Sequence, residues 1–129
     1  NLANRLSDLG RREAALAAAD EAVAIRRDLA AQRPDAFQPD LALSLAVRAN
    51  CLEASDRADE ALASNAEATE CLSPAFVRHP AAFRHWMVPM IQQYRERCER
   101  LGREPDAALL APAMAVLERQ QADAEGGQA

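Results

Sequence analysis

The sequence repeats itself at a fixed interval, and a chain that does so builds one supersecondary unit several times over. Asn4-Arg5-Leu6 recurs as Asn50-Cys51-Leu52, and Arg33-Pro34-Asp35-Ala36-Phe37 recurs as His79-Pro80-Ala81-Ala82-Phe83, both displaced by 46 residues (4 to 50, 37 to 83). In the same register Ala15-Leu16-Ala17 meets Ala61-Leu62-Ala63, and Glu21-Ala22 meets Glu67-Ala68. A third copy is fainter. Leu101-Gly102-Arg103 answers Leu9-Gly10-Arg11 at twice the interval, and Ala108-Leu109 fits Ala15-Leu16 only with one inserted residue. The last unit has drifted, as a terminal repeat does when one of its faces has no neighbour.

Inside each unit the period is helical. Hydrophobic residues make up 50% of the chain but aromatics only 4%, and Ala and Leu, both strong helix formers, dominate the apolar share. Long β-branched runs are absent, which excludes a sheet protein. Leu2, Leu6 and Leu9 fall on one face of a short helix whose start is missing. Gly10 can take the left-handed conformation that ends a helix, so a tight hairpin is expected there, with a second helix from Arg11 to about Gln32. Arg33-Pro34 closes that helix, because proline disfavours helical geometry in the residue before it.

Unit two repeats the plan, with Leu41, Leu45, Ala49 and Leu52 on one helix and Ala61, Leu62, Ala66 and Leu72 on the next. Ser55-Asp56 replaces the Leu-Gly turn, and Pro74 is expected to stop the second helix early. Unit three opens with a helix from near Ala82 to Leu101 that Pro89 should kink or delay. Pro105 suits the first turn of a last helix, which Pro112 should bend or split. The expectation is an all-α chain of about three antiparallel helix pairs over residues 1–121 (units near 1–37, 38–80 and 81–121), followed by a disordered polar tail, 122–129.

Charge and composition narrow the function classes. The net charge is −5 and all fifteen basic residues are Arg, so no clustered positive face is set against a nucleic-acid backbone. The apolar runs Ala14–Ala19 and Ala107–Ala111 fall far short of the ~20 residues that cross a bilayer. No export signal opens the chain, and three cysteines without C-x-x-C spacing read as free thiols in a reducing cytoplasm. Cys71, His79 and His85 fit no zinc spacing. No phosphate loop, nucleophile elbow or zinc-protease helix occurs. The chain is therefore read as a non-enzyme with neither metal nor cofactor.

The run from Asn1 through Asn4-Arg5-Leu6, Leu9-Gly10-Arg11 and Ala14-Ala15-Leu16, followed by Glu21-Ala22-Val23 and Arg33-Pro34-Asp35, resembles the long-period tetratricopeptide (TPR) repeats of the kinesin light chain type, which also abound in bacterial signalling proteins. The likeness fades beyond residue 83. It implies an α-solenoid, a right-handed superhelix with a degenerate last pair, whose concave side is lined by the first helix of each pair and takes up a protein or peptide. Small residues where paired helices touch are then Ala15, Ala22, Ala61 and Ala68, and the hairpin glycine is Gly10 or Gly102, with Asp56 departing from the pattern.

In that frame Asn4 and Asn50 stand where such repeats place an asparagine toward the groove, with Glu96 at the third position and Arg48 nearby. They either grip a ligand's peptide bonds or tie adjacent helices together. Leu6, Leu52, Phe37, Phe83 and Trp86 are packing residues of the stack. Phe37 and Phe83 are expected to wedge between units, so that loss of Phe37 uncouples them. Arg78, His79, Arg84, His85 and Trp86 gather a cation and an aromatic, although the segment reads first as the corner between units. Two functions follow: a binding scaffold, the C-terminal part of a larger protein, or a structural module whose truncated first helix packs on an adjacent domain or on a second copy as a homodimer.

Overall fold

A computed structural model describes residues 2–127, and among them the chain forms five helices and no strand: α1 Leu2–Gln32, α2 Pro34–Ala54, α3 Ala58–Arg78, α4 Pro80–Arg100 and α5 Ala107–Gly126. The connections repeat as the sequence does. Arg33 and His79 are single extended residues, each followed by a proline in the first turn of the next helix. Their own N–H groups close the preceding helix on Leu29 (2.9 Å) and Ala75 (2.8 Å). The turns that end α2 and α4 hold the only residues with positive φ among those described, Asp56 (58°) and Gly102 (65°). Aspartate is one of the few side chains that visits this region, because its short polar group can bond locally.

α3 is the centre of the molecule, packed against α2, α4 and α5, while α1 packs on α2. Its buried residues Ala61, Leu62, Ser64, Asn65, Ala68, Thr69, Leu72, Ser73, Ala75 and Phe76 cover more than one face, as a helix with neighbours on several sides requires. Ser64 Oγ donates to the Leu45 carbonyl (2.8 Å), while the Thr69 and Ser73 hydroxyls donate back to carbonyls four residues earlier, so these buried hydroxyls are satisfied without partners from outside. Leu52 and Ala61 share a small cluster with Leu16, and Ala68 belongs to the main core. Phe37, Phe83 and Trp86 are half-buried against that core.

Several expectations are corrected. No hairpin forms at Gly10: α1 runs through it, and Leu6, Gly10 and Ala15 are all exposed. A glycine inside a helix costs only about 1 kcal/mol, and the Arg-Arg-Glu-Ala-Ala run that follows favours continuation. Leu2, Leu6 and Leu9 stay 72%, 60% and 50% exposed. Ala22 is half-buried. Pro74, Pro89 and Pro112 neither stop nor split α3, α4 and α5. Each is exposed, as are Glu70, His85 and Ala108, so the carbonyl deprived of its helical donor is left to water. The segment from Ala122 to Gly126 is helical rather than a loose tail, with Gln121 donating to Glu125 one turn on (3.1 Å). Residues 1, 128 and 129 lie outside the described residues. Finally, α5 lies chiefly on α3 and only lightly on α4, so the third pair is not a closed hairpin.

The longer link between α4 and α5 explains that displacement. Gly102 turns the chain, Pro105 keeps Glu104 out of helical geometry, and Asp106 caps α5 by accepting from the N–H groups of Ala108 (3.0 Å) and Leu109 (3.3 Å). The Asp106 N–H in turn donates to the hydroxyl of buried Tyr94 (2.9 Å), pinning the start of α5 to α4. Burial pushes the Tyr94 phenol above its ordinary value, and the Asp106 N–H pulls the other way. A phenol raised in the folded state contributes stability that is complete below the unfolded value of about 10 and is lost as pH climbs through the folded one. Because the chain has one tyrosine, its near-ultraviolet absorbance reads this group alone. Phenolate is expected to appear only above the ordinary tyrosine range and together with loss of helix; titration at the ordinary value in a helical protein would contradict it.

Candidate functional site

Helices α2, α3 and α4 meet at Arg97, which follows Tyr94 by one turn on the buried side of α4 and is only 6% exposed. Its Nη1 donates to Asn65 Oδ1 on α3 (2.7 Å) and its Nη2 to Asn50 Oδ1 on α2 (2.9 Å). Asn65 Nδ2 donates onward to the Met90 carbonyl of α4 (3.2 Å), which fixes the direction of its amide. One guanidinium therefore ties three helices together, while its Nε is buried without an acceptor. Burial draws the Arg97 pKa below the ordinary arginine value, and nearby Glu53 partly offsets it. Glu53 pairs with Arg100 (2.7 Å), one turn further along the same side of α4.

Of the four groove candidates only Asn50 takes part in this clasp. Asn50 is exposed, yet its carbonyl oxygen is taken by Arg97, so it does tie helices together. Arg48 reaches back to α1, its Nε donating to Asp20 Oδ1 (2.6 Å). Glu96 is exposed on α4, next to Arg97. Asn4 lies on the exposed first stretch of α1, well before Leu16, the first buried residue of that helix. The α2–α4 side thus offers an exposed amide and a mixture of charges, able to donate to and accept from a peptide backbone.

Of the three side chains in the clasp, Arg97 and Asn65 were not among the expected site residues. The signal existed: Arg97 stands three residues beyond Tyr94 and seven beyond Met90, and Asn65 stands between Ala61 and Ala68, all on apolar stripes. A polar group at a core position of a helical stripe asks for a partner.

Elsewhere the surface is less organised. Between α3 and α5 an open, largely apolar pocket of about 660 Å³ is bordered by Pro74, Val77, Leu109 and Pro112, with Glu70 and Arg78 at its rim. Of the corner cluster, Arg78 pairs loosely with Asp35 (3.5 Å), Arg84 donates to Gln120 on α5 (2.5 Å), and the Trp86 ring packs between Phe83 and His85 at centroid distances of 5.5 and 5.3 Å. The two arginines are thus spent on neighbouring helices, while the three rings meet within α4 and Phe83 and Trp86 pack on the core. Cys71 has its thiol pushed up, chiefly by burial and further by Glu67, and so stays protonated at neutral pH. Among the described residues no three His, Cys, Asp or Glu side chains converge to hold a metal, and no helix is long and apolar enough to cross a membrane. Compared with known proteins, the chain matches no family model, no curated protein and no solved structure.

Proposed function

We propose that the chain is a cytoplasmic protein- or peptide-binding scaffold of tetratricopeptide type, with helix pairs stacked as a right-handed solenoid and no catalytic step of its own. The observation that carries the reading is the recurrence of the same corner and the same turn at one 46-residue interval, 33 to 79 and 56 to 102. A chain built from such copies extends along one direction, and its equivalent helices α2 and α4, both packed on α3, are bridged by Arg97 and Asn50. The ligand is an extended or helical peptide held along them, with Asn50 and Glu96 meeting its backbone and side chains.

An array of overlapping peptides, followed by fluorescence anisotropy on the strongest binders, tests this. Asn50→Asp, which keeps the oxygen that accepts from Arg97 but removes the amide donor, is expected to weaken binding about tenfold, the worth of one good hydrogen bond, while Arg119→Ala on the exposed side of α5 leaves it unchanged. Affinity indifferent to Asn50, or no binder at all, would remove the groove reading. A second reading, self-association through the exposed Leu2, Leu6 and Leu9, is favoured if light scattering on the same sample finds a dimer that dissociates on dilution.

A further inference from the structure

Gly10, Asp56 and Gly102 stand at intervals of 46 residues, each followed by an arginine, Arg11, Arg57 and Arg103. At the second and third positions the helix ends in the same hydrogen-bonded turn. The Arg57 N–H reaches the Leu52 carbonyl (2.9 Å) and the Arg103 N–H reaches that of Cys98 (2.9 Å). Ser55 and Leu101 bond back to Cys51 and Arg97 (both 3.2 Å), and Asp56 and Gly102 to Glu53 and Glu99 (both 3.1 Å). This is the Schellman-type closure, which needs a residue of positive φ, and both have it. Only at Gly10, the residue type best suited to it, does the helix run straight on.

The straight form leaves a matched pair of surfaces uncovered. Ala15 and Ala18 are exposed on α1, whereas Ala61 and Ser64, their counterparts at 46 residues, are buried on α3 against α2. Leu6 is 60% exposed, whereas its counterpart Leu52 is fully buried and shares a cluster with Ala61. The apolar stripe and the small-residue face that would receive it thus lie on one helix, separated by the glycine at the turn position.

We infer that α1 has a second state in which it breaks at Gly10 and the segment Leu2–Leu9 folds back, laying Leu6 over Ala15 as Leu52 lies over Ala61. The Arg11 N–H then bonds the Leu6 carbonyl, as Arg57 does Leu52. Gly10 is a hinge: in the straight state α1 presents Leu6 to solvent, and in the folded state it covers Leu6. The inference needs nothing from the proposed ligand groove, because it concerns α1 alone.

The test is a disulfide trap in the full chain carrying Leu6→Cys and Ala15→Cys, both exposed sites whose substitution leaves the core untouched. Nine residues apart in a straight helix, their Cα atoms are separated by about 13–14 Å, and a disulfide requires less than ~7 Å. Under mild oxidation an intramolecular bond joining positions 6 and 15, located by peptide mass, is expected in the parent background. Adding Gly10→Ala should slow it at least tenfold, since a Cβ there meets nothing within 4 Å in the straight helix but is strained at positive φ. No bond between these positions, a bond only between two chains, or a bond formed equally fast with Gly10→Ala would each overturn the hinge. Helix content measured in parallel checks that both variants are folded.

Discussion

Phe76→Ala is expected to lower the unfolding free energy by about 3–5 kcal/mol, the usual cost of emptying a fully buried phenylalanine site. Phe76 is the largest completely buried side chain and lies near the end of α3, in one cluster with residues of α2, α4 and α5. Its removal opens a void in the core cluster that those helices share, and the surrounding side chains relax into such a void only in part. A domain of this size has roughly 5–15 kcal/mol to lose, so urea unfolding should show a much earlier midpoint with helix content retained in the absence of denaturant. A loss under about 1 kcal/mol would mean that the core closes over the site. Phe37 and Phe83, which repeat between units and so attract attention in the sequence, are only half-buried and should each matter less.

That ranking shows where the sequence was legible and where it was not. Both proline-bearing corners and the turns at 56 and 102 could be read from residue types, because φ preference is local chemistry that tertiary packing seldom overrides. Of the apolar stripe that the period places on this helix, Leu16, Ala19, Val23 and Ala30 are buried, whereas Leu29 is half-buried and Ile25 is exposed. Interior prolines misled, because their effect depends on whether the orphaned carbonyl faces water, and that is a property of the packed helix. Gly10 misled for a related reason: a hairpin is favoured only if the segment before it has a surface worth covering, and one leucine, Leu6, laid over an alanine face makes that balance close. The displacement of α5 onto α3 could not be read at all, since it depends on the reach of the 101–106 connection and on Tyr94 holding its end.

The clasp at Arg97 invites the second large effect. Asn65→Ala should cost on the order of 3 kcal/mol, more than a surface amide and more than the side chain's own small apolar content. The reason is the group left behind. Arg97 would keep its charge in a buried site, lose the 2.7 Å acceptor at Nη1, and already has no acceptor at Nε. Losing a hydrogen bond to a charged group costs about 1.5–3 kcal/mol, and stranding the partner adds its desolvation. The Met90 carbonyl would lose a donor as well. If charge burial is the cause, removing the charge must relieve it. Arg97→Met in the Asn65→Ala background should therefore be no less stable than Asn65→Ala alone, although Arg97→Met by itself, which leaves the Asn65 oxygen unbonded, should destabilise by about 1–2 kcal/mol. Urea unfolding of the four proteins gives the coupling directly, expected near 1.5–3 kcal/mol in the sense that the double variant loses less than the sum. Simple additivity would show that the guanidinium is hydrated in solution and that the three helices are held by their apolar contacts alone.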